Sequence, residues 1–268
     1  MSEPVIRLVA FAGVLLALIG WELVSPRRPR PVGRRARWPG NLALVGLNTV
    51  LARIVAPLGA AGAALWAEQA GVGLFNAVEG PAWAAFVASI LVLDLAIYGQ
   101  HVAFHRVPAL WRLHRVHHAD IDVDVTTGVR FHPFEIVLSM MIKLALVVAL
   151  GAPALAVIVF EVVLNATSMF NHANVAIPAG FDRVLRTVLV TPDMHRIHHS
   201  VRPEETDSNF GFNVPWWDRL FRTYRAEPKD GQLAMTLGLE AFRDPGLLRL
   251  DRMLMIPAMG PTLRRRVS

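Results

Sequence analysis

The placement of histidine constrains this chain more than any other sequence feature. All ten histidines of the 268 residues fall between positions 101 and 199. Eight of them form one H-x-x-x-H pair and two copies of H-x-x-H-H: His101 and His105, His114, His117 and His118, and His195, His198 and His199. Residues at i, i+3 and i+4 share one face of a helix, so each group can direct two or three ring nitrogens toward one point.

Imidazole groups at helical spacing favour a metal site, because neutral imidazole is a common ligand for iron, copper, zinc and nickel. The chain has no cysteine, which excludes disulfides, thiolate zinc sites and iron–sulfur clusters. Eight histidines exceed the four ligands of a structural zinc site and fit two metal ions better. His172 in FNHAN is predicted as a ninth ligand. His132 in RFHPFE is a candidate tenth, with a capping or hydrogen-bonding role beside Pro133 as the alternative.

Acceptors for the second ring N–H of the ligating histidines are also expected. The candidates are acidic or amide residues near the histidine groups: Asp94, Asp193, Asn174 and Glu135. Each could equally be a surface or capping residue. The motifs H-E-x-x-H and G-x-S-x-G are absent, which removes the usual zinc-peptidase and serine-hydrolase interpretations.

Hydrophobic residues make up 54% of the chain, the mean hydropathy is +0.41, and the excess is gathered into blocks. This pattern predicts an all-α membrane protein with about four transmembrane or hairpin helices. A helical cap on the cytoplasmic side would carry the histidines. The predicted spans are residues 5–24, 41–66 and 83–98, followed by a hairpin over residues 134–170 that is broken at Gly151 and Pro153.

The hairpin is inferred because the third histidine group must reach the first two if all of them bind one site. Its arms are somewhat shorter than the roughly 20 residues of a full crossing. Lys143 and Glu161 are equidistant from residue 152, so an antiparallel hairpin would bring them to equal depth. Since an unpaired charge in lipid is costly, we expect these two side chains to face each other or the bundle interior.

The formal charge of +6 does not indicate nucleic-acid binding, because the arginines cluster beside apolar blocks. Such clusters are typical of cytoplasmic loops and of contact with lipid headgroups. They predict a multi-pass integral membrane protein whose histidine site faces the cytoplasm. The cluster members are Arg27, Arg28, Arg30, Arg34, Arg35 and Arg37, with a second cluster at Arg264, Arg265 and Arg266.

The histidine-rich part of the chain resembles the fatty acid hydroxylase superfamily, which includes sterol desaturases. The resemblance covers roughly residues 90 to 225 and one departure is Arg222, where the family more often has glycine. The matching segments are D-x-x-x-Y-x-x-H-x-x-x-H from Asp94, HRVHH from His114, RFHPFE from Arg130, FNHAN from Phe170, TPDMHRIHHS from Thr191, NFG from Asn209 and WWDRLFRTY from Trp216.

This resemblance implies a membrane-bound, O2-dependent oxidoreductase with two iron ions held by histidines. It would hydroxylate or desaturate a C–H bond of a lipid or sterol-like substrate. An apolar substrate channel is expected along the third span and the hairpin. The chain has no flavin, haem or iron–sulfur motif, so electrons would come from a separate ferredoxin or cytochrome b5 type protein with its reductase.

Three regions are expected: an N-terminal transmembrane region over residues 1–82, a catalytic domain over 83–225 and a basic tail over 226–268. The alternative function is a histidine-rich membrane metal transporter or a structural metal-binding protein. Transport sites tend to lie near mid-membrane, whereas these histidines follow the spans, which disfavours transport. A catalytically inactive relative is disfavoured because all three histidine groups are complete.

Overall fold

The computed structural model describes residues 3–260, and the arginines at 264–266 lie outside this range. The described residues are helical, with isolated bridges at Pro26–Val175 and Ser200–Leu237 and no β-sheet among residues 3–260. The α-helices are α1 Glu3–Val24, α2 Arg34–Val55, α3 Gly59–Gln69, α4 Leu74–Ala77, α5 Ala82–Arg106, α6 Pro108–His118, α7 Pro133–Leu150, α8 Ala154–His172, α9 Ala179–Leu185, α10 Pro192–His198, α11 Pro203–Thr206, α12 Trp216–Leu220, α13 Gly231–Ala234 and α14 Leu250–Met255.

Five segments of the described chain are long and apolar enough to cross a membrane, which confirms the all-α membrane class. About four transmembrane or hairpin helices were expected. When the two arms of the hairpin are counted separately, the number is five. The second span begins seven residues earlier than expected and bends between α2 and α3, where Pro57 cannot continue a helix. The five segments are Val5–Val24, Arg34–Ala77, Ala82–Arg106, Pro133–Leu150 and Ala154–His172.

The predicted hairpin is confirmed. Helix α7 ends at Leu150 and is followed by Gly151, whose φ of +62° is the left-handed conformation that glycine adopts at helix C-termini. Helix α8 begins after Pro153. Lys143 and Glu161 form an ion pair across the two arms, as the equal-depth argument predicted. Arg7 of α1 joins them, with its Nη1 2.6 Å from Glu161 Oε2.

Small residues allow α3 to pack closely against both arms of the hairpin. Ala60 and Ala64 of α3 are buried in a core cluster with Leu93, Val147 and Phe160, so α3, α5, α7 and α8 share one apolar contact region. This packing fixes the hairpin in the bundle. As a result, the N-terminus of α7 and the C-terminus of α8 lie at the same end as the histidine-bearing part of α5.

The histidines lie at this end because membrane helices continue into the cap. Helix α5 runs beyond the expected span to Arg106 and carries His101 and His105 on its last two turns. Helix α6 follows directly with Pro at its first position. The loop after α6 then approaches α8 so closely that a Cβ on Gly128 would lie 2.3 Å from the Ser168 carbonyl oxygen.

The arginine segment between α1 and α2 was expected to act mainly as a topology signal. In the structure, its arginines also form ion pairs and hydrogen bonds with distant parts of the chain. Arg27 pairs with Asp193 at 2.9 Å, Arg30 and Arg34 pair with buried Glu22, and Arg37 is fully buried. Arg28 donates to the backbone carbonyls of Gln232 and Met235. These contacts fasten the cap to the membrane helices.

Candidate metal centre

Nine of the ten histidines gather in two buried clusters that could each hold a metal ion. The candidate ligand atoms within each cluster lie within 4.8 Å of one another. We define the first cluster as His101, His105, His114, His118 and His198, and the second cluster as His117, His172, His195 and His199.

The two H-x-x-H-H groups divide between the clusters, which corrects the expectation that each group aims at one point. Successive residues of an α-helix are rotated by about 100°, so His114 and His118 are about 40° apart while His117 points about 100° away from His118. His114 and His118 therefore enter the first cluster and His117 the second. The H-x-x-H-H group on α10 is assigned the other way round. Its middle residue, His198, belongs to the first cluster, and His195 and His199 belong to the second.

Oxygen acceptors orient the rings of the first cluster. His101 Nδ1 lies 2.7 Å from the Phe210 carbonyl oxygen, and a carbonyl can only accept, so this nitrogen carries the proton. His114 Nδ1 lies 2.7 Å from Glu135 Oε1. Further acceptors are the Ser208 carbonyl at 2.8 Å from His198 Nδ1 and Asp207 Oδ1 at 3.2 Å from His105 Nδ1.

This orientation turns unprotonated Nε2 atoms toward each other. The Nε2 atoms of His101 and His114 are 3.1 Å apart, and that of His101 carries a lone pair because Nδ1 is the donor in its ring. His172 Nδ1 likewise donates to the Ser168 carbonyl, while its Nε2 lies 3.0 Å from His117 Nε2 and 3.1 Å from His195 Nε2. Facing lone pairs repel unless a cation lies between them. Two nitrogens bound at right angles to one metal at about 2.1 Å would be about 3.0 Å apart, so these residues fit metal ions.

The protonation state of the cap histidines agrees with metal binding. Burial, followed by the nearby imidazoles, holds the pKa of His117, His118 and His199 well below its usual value. Neutral rings with a free lone pair are the form that binds metals. A cluster of nine charged imidazolium groups would be unstable at the same burial.

The second cluster has fewer orienting acceptors. His172 is oriented by the Ser168 carbonyl one helical turn earlier, at 2.6 Å. By contrast, Nδ1 of His117 and both ring nitrogens of His199 are buried and have no hydrogen-bond partner among the described residues. Buried polar atoms without partners are uncommon, and a metal ion bound at one ring nitrogen of His199 would supply such a partner.

His132 lies outside both clusters. Its Nδ1 accepts a hydrogen bond from the Phe134 backbone N–H at 3.2 Å, and its Nε2 faces the Leu254 carbonyl at 3.4 Å. It therefore caps the N-terminus of α7, which was the alternative role considered from the sequence. The expectation of a tenth ligand is corrected accordingly.

The expected acceptor role is found only for Glu135. Asp94 accepts from Trp217 Nε1 at 2.7 Å, and Asp193 pairs with Arg27 and Arg196. Asn174 exchanges hydrogen bonds with the backbone of Arg28. These three residues tie helices and loops together rather than orient the histidines, so their assignment as acceptors is corrected.

The acceptors that sequence reasoning missed are Asp207 and three backbone carbonyls. A carbonyl has no sequence signature, and Asp207 belongs to a loop after the third histidine group whose position depends on tertiary packing. Their only sequence signal is the polar segment that precedes NFG at residue 209.

A buried ion-pair network lies directly after His118 and was also missed. Arg37 donates to Asp120 and to Asp124, each at 2.7 Å, and both carboxylates are fully buried. Burial opposes the ionisation of Asp120, but Arg37 and Arg130 together hold its pKa below the usual value. The network fixes the C-terminal end of α6, from which ligands enter both clusters.

A cavity of about 690 Å³ reaches the first cluster from between the membrane helices. His101, His114 and Glu135 line one end, and residues of α1, α2, α5, α7 and α8 form the walls. The third span and the hairpin line it as expected, whereas the contribution of α1 and α2 was not anticipated. The volume lies within the range of typical ligand sites.

The sequence profile of the fatty acid hydroxylase family matches residues 86–223, which is slightly more than half of the chain. The chain belongs to the fatty acid hydroxylase family. The match contains both histidine clusters and ends just after Arg222. Arg222 has a φ of +60°, a left-handed conformation that favours glycine, the residue that the resemblance led us to expect at this position.

Three curated relatives show how far the similarity extends. An ornithine lipid hydroxylase of Rhizobium tropici is 28% identical over 53% of this chain and 42% of its own length. Human alkylglycerol monooxygenase is 27% identical over 63% of the chain and 37% of its own length. Cholesterol 25-hydroxylase of Rattus norvegicus is 26% identical over 59% and 51%, respectively. The matches thus span about half or less of these relatives, and no solved structure matches the chain significantly.

Proposed function

We propose that this member of the fatty acid hydroxylase family is an O2-dependent di-iron enzyme that hydroxylates a C–H bond of a membrane lipid or sterol-like substrate. The observation that carries the proposal is the contact between the first cluster and a cavity that lies among membrane helices. The relatives named above are called hydroxylases or monooxygenases of lipids and sterols, which supports the same class.

The residues of the site would have three roles: they bind metal, orient the metal ligands and exclude water. The first and second clusters hold one iron ion each, and Glu135 and Asp207 orient ligands of the first ion. Phe104 packs with its ring centroid 5.7 Å from that of His114, and Phe212 lies 4.9 Å from His101. These apolar rings exclude water from the end of the cavity where the substrate carbon would be oxidised.

The iron pair would supply the activation of O2, in which one oxygen atom enters the C–H bond and the other is reduced to water with two electrons and two protons. The motifs seen in the sequence provide no electron carrier. We therefore infer an external donor of the ferredoxin or cytochrome b5 type with its reductase, attracted to the basic cap by charge complementarity. Oxidation by purified protein supplied with only NAD(P)H and O2 would contradict this inference.

We further propose that the histidine end faces the cytoplasm. Arg27, Arg30, Arg34 and Arg35 lie at this end, and arginine is enriched in cytoplasmic loops of membrane proteins. Protease or thiol-labelling accessibility of single-cysteine variants is a direct measurement, and the absence of native cysteine makes such labelling unambiguous.

An oxygenase explains the site better than a metal transporter or a structural metal protein. A transport pathway needs ionisable groups along a route through the bilayer, whereas both clusters gather at one end of the bundle, with ligands on the last turns of α5 and α8. A structural metal site needs no adjacent cavity. Desaturation would use the same ligands, so product analysis decides between the two oxidations.

The test is metal analysis and Mössbauer spectroscopy of protein from cells fed with the Mössbauer-active iron isotope, followed by turnover of lipid extracts with a donor system and isotope-labelled O2. Two coupled irons per chain and label in a lipid hydroxyl group are expected. One tightly held zinc, with no iron after anaerobic reconstitution, would support the structural or transport alternative instead.

A further inference from the structure

Exposed apolar side chains are concentrated on two neighbouring elements of the cap, helix α9 with the turn after it and helix α12. These elements are joined by hydrogen bonds from Trp216 Nε1 to the Thr187 carbonyl at 2.9 Å and from Arg219 Nη2 to the Arg186 carbonyl at 3.2 Å. We define the platform as six side chains on these elements that are each 45–67% exposed: Phe181, Val184, Val188, Trp216, Leu220 and Phe221.

Helix α12 lies beside the membrane part of α5. Trp217 Nε1 donates to Asp94 Oδ2 at 2.7 Å, and the ring of Phe221 stacks on that of Tyr98 with the centroids 5.5 Å apart. Both α5 residues fall within the candidate membrane span that this helix provides. Asp94 precedes His101 by seven residues, which is about 10 Å along the helix axis. Helix α12 therefore lies on the membrane side of the metal ligands.

Helix α9 is attached to a second membrane helix. Its residue Leu185 packs, together with Ile177 before the helix, in an apolar cluster that contains Leu18 of α1. By contrast, Phe181 and Val184 of the same short helix are 60% and 67% exposed. Both elements of the platform are thus continuous with helices that can cross the membrane.

The composition of this surface suits the membrane interface. Aromatic rings are enriched at the level of the lipid headgroups, and the platform contains two phenylalanines and a tryptophan. Arg183 of α9 and Arg219 of α12 are exposed on the same elements, and arginines near a bilayer are attracted to anionic headgroups. A large apolar surface that is exposed on a cap usually marks a contact with a membrane or another protein.

We propose that the platform inserts into the headgroup region of the same bilayer that α1 and α5 cross. Amphipathic helices at an interface bury their apolar face about 5–10 Å into the boundary between headgroups and acyl chains. The cap would then be held on the membrane by α9 and α12 as well as by the spanning helices. This inference concerns the contact with lipid and does not depend on the oxygenase reaction.

Hydrogen bonds connect the platform to the first cluster. Asp218 of α12 accepts from the backbone N–H groups of Phe210 and Gly211, each at 2.8 Å. The Phe210 carbonyl in turn accepts from His101 Nδ1. A platform that is seated among the headgroups therefore fixes the depth of His101 relative to the membrane surface.

Fluorescent labelling of single-cysteine variants tests the contact, because the chain has no native cysteine. Leu220→Cys on α12 and Val184→Cys on α9 change exposed positions, so neither should disturb the packing of the protein. Each full-length variant carries an NBD label and is reconstituted in nanodiscs of phosphatidylcholine and phosphatidylglycerol. A lipid nitroxide near the headgroup should quench both labels at least about twice as strongly as a nitroxide at the chain end, as expected for shallow insertion.

Glu204→Cys is the control, because Glu204 is exposed on α11 and does not belong to the platform. Its label should be quenched by aqueous iodide and hardly by either nitroxide, whereas the two platform labels should be protected from iodide. Equal iodide quenching of all three labels would overturn the proposal. Platform labels that neither iodide nor a lipid nitroxide quenches would show that protein, such as a second copy of this chain, covers the surface, and would also overturn it.

Discussion

The first and second clusters use the same ligand type, yet their surroundings differ. In the first cluster, four rings are oriented by Glu135, Asp207 and two backbone carbonyls, and two rings line the cavity. In the second cluster, the Ser168 carbonyl orients His172, and none of its histidines is among the described residues that line the cavity.

This difference suggests different tasks for two metal ions. Rings held by fixed acceptors next to a cavity suit an ion that must keep its geometry while substrate enters. The second cluster is enclosed by α6, α8 and α10, so its ion would be shielded from substrate. Its histidines are positioned mainly by these helices.

The largest effect is expected from removing one ligand of each cluster. His198→Ala and His199→Ala alter adjacent residues at the end of α10, so their effects on the helix are comparable. Each should reduce lipid oxidation more than about a hundredfold and lower the metal content from about two ions per chain to about one, because each cluster loses a ligand. Metal analysis beside an activity assay measures both.

His132→Ala is the matched control for these variants, because His132 lies outside both clusters. It should keep both metal ions and lose only the hydrogen bond at the start of α7 and the contact with the Leu254 carbonyl. Full metal content in His198→Ala or His199→Ala would contradict the assignment of ligands.

The Arg37 network offers a way to disturb both clusters together. Arg37→Met leaves two buried carboxylates without their main partner, which should lower the free energy of unfolding by about 3–5 kcal/mol. Metal affinity of both clusters should fall, because α6 serves both. Chemical denaturation in detergent measures the effect. Arg35→Met, an exposed neighbour on the same helix, should change stability by less than about 0.5 kcal/mol.

Glu135→Gln should affect the first cluster alone. The amide keeps an oxygen acceptor for His114 but can no longer ionise, and changes of this kind typically cost about tenfold to a hundredfold in activity or metal affinity. Mössbauer spectra should show one altered iron and one unchanged iron. Asp207→Asn should alter the same iron signal, since Asp207 contacts the same cluster. If both variants changed both signals equally, the two-cluster division would not describe the metal environment.

Access to the first cluster can be tested by filling the cavity. Ala166→Phe on α8 should lower lipid oxidation about tenfold through a raised KM, because the larger ring occupies substrate space. The content of both metals should remain unchanged. Val163→Phe is the control, since Val163 is exposed on the same helix outside the cavity. Activity that is insensitive to Ala166→Phe would argue against this route to the metal.

The smallest effect concerns Arg222, which lies outside both clusters. Arg222→Gly should stabilise the fold by about 1 kcal/mol, because glycine adopts positive φ without the steric cost of a side chain. Arg222→Ala removes the charge while keeping the backbone strain and should give no such gain. Thermal unfolding of both variants in detergent provides the comparison.

Much of the fold and the candidate ligands could be predicted from local sequence patterns. The apolar blocks predicted the membrane helices, and the equal spacing of Lys143 and Glu161 around residue 152 predicted the hairpin contact. The roles of His132 and Asp193 could not be predicted in this way. A histidine or a carboxylate beside a motif looks the same in the sequence whether it serves as a ligand, a cap or an ion-pair partner. Their partners come from distant segments.

The sequence by itself determined which residues can be membrane helices and which histidines share a helix face, because hydropathy and helical spacing are local properties. Only the tertiary structure decided how the histidine groups divide between two clusters. It also decided that Asp207 and backbone carbonyls orient the rings and that Arg37 is buried against Asp120. These contacts join residues far apart in the chain, and they depend on how α5, α6, α8 and α10 pack.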